Sequence, residues 1–388
     1  MQSIKDDFIN LREKYDLSIT CISTKTGINQ DVLYEFTDSG SIGFKHLVTL
    51  SKFFYKEKYH ETMREWCMKI DSSEWLKQAF EYAALKRDTE LLRMLLEKSK
   101  GESGVKQFVE MYSILLDFMT DRINFNELCK SVKNQKVSSS KDLAVLKDIY
   151  ICVSLYYEGD FLGMARVAND INNSVKKIGK RRAFFRESFS YRLSELLAPA
   201  YLHLNDLDLC REHAKVLVET GLNYKHISDG YYYLGMCNLY EDKGACLDYL
   251  IKSVDYAKMT NEDVLISEAM NNLKFVKTLF DFLSGGKLPD LTTFTDKLLL
   301  GGDEDFIVYF NYVKGRELGD IYKAFSHFHE EMNFFFASLA AETLRIVGVD
   351  PNQVNALKAI KLKTKGAVVY EKDFINGFCF RGISSFAS

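Results

Sequence analysis

From about residue 4 the apolar positions recur at three- and four-residue intervals, the period of amphipathic helices rather than of strands. Ile22, Ile28, Val32, Leu33 and Phe36 have the spacing of two short helices broken at Gly27, where a positive φ is cheap for a residue without Cβ. Ser23 stands four residues before that glycine, where two crossing helices must approach closely. Phe44, Leu47, Val48, Leu50, Phe53 and Phe54 supply further helical faces, enough to close a miniature core. The outline over residues 4 to 56 is a helix-turn-helix unit.

Helical periodicity continues beyond residue 60, and no strand-hairpin pattern interrupts it. Within it a weak repeat surfaces in "YYEGDFLGMA" (156–165), "YLHLNDLDLC" (201–210) and "RELGDIYKAF" (316–325). Each reads as an apolar helix end, a small residue followed by Asp, and an apolar helix start, which places turns at Gly159-Asp160, Asn205-Asp206 and Gly319-Asp320. These turns are similar to those of tetratricopeptide hairpins, and "YYYLGMCNLY" (231–240) resembles a repeat's first helix with its pair Leu234-Gly235. The predicted fold is all-α, a helix-turn-helix followed by a degenerate tetratricopeptide-like helical-hairpin solenoid. Its expected domains are residues 1–56, 57–353 and 354–388. Stacked hairpins leave a surface suited to an extended peptide or a partner helix.

Composition agrees with long helices. The chain has 388 residues, long for one compact core, and three prolines, Pro199, Pro289 and Pro351. A formal net charge of -3 excludes a protein that coats nucleic acid along its whole length, so any DNA contact is local. The start "MQSIKDDFINLREKYDL" is charged throughout and no run is long enough to span a bilayer, which leads us to expect a soluble, cytoplasmic protein. The eight cysteines show no CxxC pair and read as reduced, mostly buried thiols.

The helix-turn-helix carries the clearest candidate chemistry. Such a unit places the start of its second helix in the major groove, and here that start reads Thr26-Gly27-Ile28-Asn29-Gln30-Asp31. Asn29 and Gln30 each have the amide that bonds an adenine edge in bidentate fashion. Lys25, Lys45 and Lys52 are candidate phosphate contacts, and Thr26 and Tyr34 complete the candidate interface. Asp31 either accepts from a cytosine amine or caps the helix. The plain alternative is an ordinary helical hairpin. Residues 1–60 hold eight Lys or Arg against eight Asp or Glu, so a single head gains little from counterion release and two heads on a homodimer are expected.

Other candidates are weaker. His327 and His329 lie two apart and face different sides of a helix, which disfavours a shared metal. The basic run "KKIGKRR" (176–182) is either a contact to phosphate or a partner, or a solvated loop. No phosphate-binding glycine loop, nucleophile elbow or zincin motif is present, so neither enzyme nor cofactor chemistry is expected.

The layout resembles the peptide-pheromone receptors of Gram-positive bacteria and their phages. More narrowly, "LYEF" (33–36), "MREWCMKID" (63–71), "FEYA" (80–83), "LND" with "CREHAK" (204–215) and "YVKGR" (312–316) are similar, in order, to the arbitrium receptors of temperate phages, the AimR family. The resemblance implies a homodimeric regulator that binds a double-stranded DNA operator in the lysis-lysogeny decision. A short peptide of about six residues, bound in the repeat domain, would abolish productive DNA binding by favouring one arrangement of the heads. It implies that Asn205 holds the peptide backbone and that Lys225, where the family has arginine, lies near the peptide's carboxylate. Tyr201 and Met236 replace family asparagines, and Phe336 stands near a family aspartate that receives the peptide amine. Asp305 or Glu331 is then the expected acidic partner, with Tyr232, Leu239 and Tyr309 lining the groove. "VNALKAIKLK" (354–363) resembles the family's dimerisation helix, with Val354, Leu357 and Ile360 as contacts. The tail 364–388 has no counterpart. A second class remains open: an interaction module on the same scaffold that sequesters a partner protein under peptide control.

Overall fold

The computed structural model describes residues 2–137, 140–179, 182–288 and 303–360. Among these, every regular element is a helix. In order they are α1 (Gln2–Lys14), α2 (Ile19–Thr26), α3 (Gln30–Ser39), α4 (Phe44–Tyr55), α5 (Tyr59–Met68), α6 (Ser73–Leu85), α7 (Thr89–Lys98), α8 (Lys106–Met119) and α9 (Phe125–Asn134). Next come α10 (Lys141–Tyr157), α11 (Phe161–Lys176), α12 (Ala183–His203), α13 (Leu207–Thr220), α14 (Tyr224–Cys237), α15 (Lys243–Lys258) and α16 (Asp263–Leu283). The last four are α17 (Glu304–Val313), α18 (Leu318–Glu330), α19 (Phe334–Ile346) and α20 (Pro351–Lys358). Among the described residues the chain forms two compact units, one of residues 2–151 with Asn173–Ser190, the other of Cys152–Asn172 with residues 191–360.

In the first unit, α2 and α3 are joined by three residues. Ser18 starts α2 by accepting from the Cys21 amide, and Gly27 ends it at φ +70°, its N–H returning to the Ser23 carbonyl. Ile4, Phe8, Ile22, Leu33, Phe36 and Leu47 are buried between the first four helices, with the Phe8 and Phe36 rings 5.2 Å apart. Phe44 at the start of α4 packs edge-on against Phe184 at 4.9 Å, and the neighbouring Lys45 forms an ion pair with the buried Glu187.

The second unit is built from consecutive helices that pack on one another, α13 on α14, α14 on α15, α15 on α16 and α18 on α19. Gly235 lets α14 approach α15, since a Cβ there would lie 3.0 Å from Leu250 Cγ and 3.2 Å from the Cys246 carbonyl oxygen. Two of the three predicted turns are observed: Gly159 has φ +74° and Asn205 φ +55°. The third is not. Gly319 and Asp320 lie inside the first turn of α18, and the left-handed residue is Arg316 at φ +53°. The Gly-Asp pair is a helix start there because Glu317 already occupies the N-cap position.

Pro199 lies inside α12 and leaves the Glu195 carbonyl without its usual amide donor. The tail 364–388, together with Lys180 and Arg181 of the basic run, lies outside the described residues.

Candidate functional site

The second unit contains a cavity of about 310 Å³ walled by α12, α14, α15, α16 and the start of α17. Helix α14 contributes its main face. Lys225, Asp229 and Tyr232 stand at i, i+4 and i+7 and so line up along one side. Asn223 fixes where that helix begins by accepting from the His226 amide. Lys225 Nζ pairs with Asp229 at 2.5 Å. Burial opposes the Lys225 charge, but Asp229, Glu268 and Glu195 outweigh it and hold the ammonium firmly protonated, with its pKa raised.

Opposite this face, Asp303 caps α17. Its Oδ1 accepts from the Asp305 amide at 3.1 Å, its Oδ2 accepts from Tyr232 Oη at 2.5 Å, and its own N–H donates to Asn272 Oδ1 at 2.9 Å. Burial raises the Asp303 carboxyl, opposed by the Tyr232 bond and His203. Asp305 is pushed up to about 7 by burial and by the Asp303 charge, although Asn333 Nδ2 donates to it at 2.6 Å. Glu268 is raised by burial and by its acidic neighbours Asp229 and Asp303. His203 Nδ1 donates to the Pro199 carbonyl at 2.9 Å, and burial lowers this imidazole's pKa. The cavity therefore carries Asp229, Glu268, Asp303 and Glu304 against one ammonium and one weakly basic imidazole.

The expected ligand residues divide sharply. Lys225 and Tyr232 line the cavity. Asp305 lies beside it, 3.8 Å from His203 Nε2. Tyr201, Met236, Leu239 and Tyr309 are buried in the helical core, Tyr201 stacked on His213 at 5.4 Å and Tyr309 bonded to Thr343 Oγ1 at 2.5 Å. Asn205 holds the left-handed turn and donates to Ser338 Oγ at 3.1 Å, and Glu331 is exposed past the end of α18. Sequence reasoning missed Asp229, Glu268 and Asp303. The first stands between Lys225 and Tyr232 on their own helical face, and the third is the Asx cap two residues before Asp305. Glu268 left no such signal.

In the first unit, three of the proposed DNA contacts are engaged within the fold. Asn29 Oδ1 accepts from the Asp31 amide and caps α3, Thr26 Oγ1 bonds the Ile22 carbonyl at 2.7 Å, and Lys45 pairs with Glu187. Asn29, not Asp31, is thus the cap of α3. Tyr34 is exposed on α3, and Lys25 and Gln30 are half-buried. Arg182, at the end of the basic run, bonds the buried Asp142 at 2.7 Å. His327 and His329 contact the rings of Tyr312 and Phe334 respectively, and no group of three metal-ligating side chains occurs among the described residues. Of the expected dimer contacts, Val354 is buried against its own protomer, Leu357 is half-buried and Ile360 is exposed. No described helix is long and apolar enough to cross a membrane.

Fold and cavity together define an all-helical repeat protein with a ligand-sized cavity in its second unit. The family model for AimR transcriptional regulator-like proteins matches residues 59–284, and the chain belongs to that family. The AimR transcriptional regulator of Bacillus phage phi3T is 20% identical over 337 residues, covering 80% of this chain and 88% of its own. The AimR transcriptional regulator of Bacillus phage SPbeta is 24% identical over 203 residues, half of each chain. Among solved structures, selenomethionine phAimR aligns with a TM-score of 0.64 at 18% identity, covering 92% of this chain and all of that one. The structure of phAimR with ligand aligns at 0.62 and 18% identity, over 79% of this chain and 98% of that one.

Proposed function

We propose that this chain is a peptide-gated, DNA-binding transcriptional regulator of the phage lysis-lysogeny decision, working as a homodimer in the host cytoplasm. The observation that carries the reading is the acidic cavity in the second unit. Its size falls in the range of ligand pockets, and its carboxylates call for a ligand that brings a positive charge. A short peptide supplies one at its α-amine or on a basic side chain. Asp303, oriented by Tyr232, takes that group with Asp305 beside it, while Glu331 is exposed past the end of α18. Lys225 is already neutralised by Asp229 and is a poor seat for the peptide carboxylate. The peptide gates DNA binding only by preferring one arrangement of the paired heads.

On the head, α3 presents Gln30 and Tyr34 to the operator, with Lys25 at the end of α2. Dimerisation uses the exposed Ile360 end of α20. One observation favours the second reading, a module that captures a partner protein: Asn29, Thr26 and Lys45 are held by internal bonds, which leaves few side chains to read bases.

Gln30→Ala separates the two. It leaves the Asn29 cap intact, so any effect on DNA is not a folding effect. Under the regulator reading, affinity for the DNA flanking the gene falls by about 1–3 kcal/mol in fluorescence anisotropy. Peptide binding stays the same. No DNA binding by the unmodified protein at low salt moves the partner-capture reading into first place.

A further inference from the structure

Asp303 and Asp305 put two carboxyl groups at one helix start. Asp303 receives Tyr232 Oη and the Asp305 amide, and Asp305 receives Asn333. The groups around them are mostly acidic. Glu304 lies on the same helix, Glu331 precedes α19, and Glu268 and Asp229 face them across the cavity from α16 and α14. The facing cations are Lys225, held by Asp229, and His203 on α12. Burial weakens His203 as a counter-charge. The charged imidazole is disfavoured there, and with Nδ1 donating to the Pro199 carbonyl its Nε2 lies 3.8 Å from Asp305 Oδ2. In the neutral form of the ring the Nε2 lone pair faces that carboxylate, which is repulsive, and a proton on either group relieves it. Two carboxyls two residues apart at one helix start, ringed by further acids, favour a proton on one of them by the electrostatics that govern paired-aspartate sites.

We propose that the empty cavity keeps a proton on the Asp303–Asp305 pair and exchanges it for the cationic group of the ligand. This rests on the reading of the cavity as the ligand site and adds its regulation. An incoming ammonium or guanidinium replaces the proton as the counter-charge, so the pair ionises fully and the proton leaves to solvent. Binding and proton release are then linked: affinity rises with pH by up to about tenfold per unit while one proton is released, and levels off once the pair is already ionised. The position of Asp305 near 7 puts that levelling just above neutral pH.

The probe is agmatine, which carries an amine and a guanidinium, has no carboxylate, and does not titrate near pH 7. It is added to weakly buffered full-length protein with a pH indicator, and its affinity is measured by calorimetry between pH 5.5 and 8. The expected result is acidification at pH 7, together with an affinity that climbs with pH and then flattens. Asp305→Asn keeps the acceptor for Asn333, and a thermal melt confirms its fold. It should bind agmatine more weakly through Asp303, with no proton release and a flat profile. Binding to the unmodified protein without proton release overturns the exchange and leaves the ligand site standing. Proton release that persists in Asp305→Asn also overturns it. No agmatine binding at any pH overturns the cation-receptor reading of the cavity as well.

Discussion

The same few side-chain types do two jobs in this chain, and position decides which. Asn29 has the amide that reads adenine, but it stands at the start of α3, where a short side-chain acceptor satisfies an otherwise orphaned backbone N–H. Asp88, Asn124, Asn223, Asp242, Asn333 and Asp350 make the same bond at other helix starts. Lys45 is likewise drawn inward. Burial raises the Glu187 carboxyl and the Lys45 ammonium opposes that rise, so the lysine matters to stability before it matters to any phosphate. Removing one partner strands a buried charge. Lys45→Met is therefore expected to destabilise the first unit by about 3 kcal/mol in denaturant titration, and Lys45→Met with Glu187→Leu to recover much of the loss. A loss of DNA affinity in Lys45→Met with no loss of stability would return Lys45 to the DNA interface.

Elements were easier to read than contacts. The 3.6-residue period located the helices because each must bury one face, and Gly27 marked a true left-handed stop. The site was legible only in part. Lys225 and Tyr232 could be placed from the resemblance, but which face of α14 meets a cavity depends on α16 and α17, and no local pattern encodes that packing. Tyr201, Met236 and Tyr309 show the limit: an aromatic or apolar residue at helical spacing is equally consistent with groove and core, and here the core takes all three. The misplaced turn at Gly319 has a related cause, since Arg316 adopts a positive φ that sequence ordinarily assigns to glycine. Two glycines should respond differently to alanine. At Gly27 a Cβ meets nothing, so Gly27→Ala pays only for the left-handed backbone, about 1 kcal/mol. At Gly235 the Cβ presses on Leu250 and the Cys246 carbonyl, so Gly235→Ala forces α14 and α15 apart at about 1–3 kcal/mol. Equal melting temperatures for the two variants would show that the α14–α15 contact tolerates more than its geometry allows.

At the scale of the whole molecule, the titrating groups of the second unit pull stability in opposite directions. His213 is fully buried, which pushes its imidazole down to about 3. In the unfolded chain it titrates near 6.5, so between those values the unfolded state binds the extra proton. Its contribution is complete above about pH 6.5 and is lost as pH falls toward 3, by about 1.4 kcal/mol per unit. Asp305 has the opposite sign. Raised from the ordinary carboxyl range to about 7, it binds its proton in the folded state, so it favours folding below its unfolded value and loses that favour as pH rises toward 7. The two windows overlap between about pH 4 and 6.5 and partly cancel. Removing either should therefore tilt the profile in a characteristic direction. His213→Gln is expected to unfold at lower denaturant at neutral pH, because of its lost packing on Tyr201, yet to lose less stability than the unmodified protein on going from pH 7 to pH 5. Asp305→Asn is expected to lose more over the same step. Far-UV circular dichroism is the appropriate readout, since Trp66 and Trp75 both lie in the first unit and tryptophan fluorescence reports on that unit alone. Parallel pH profiles for both variants and the unmodified protein would show that neither group titrates on unfolding.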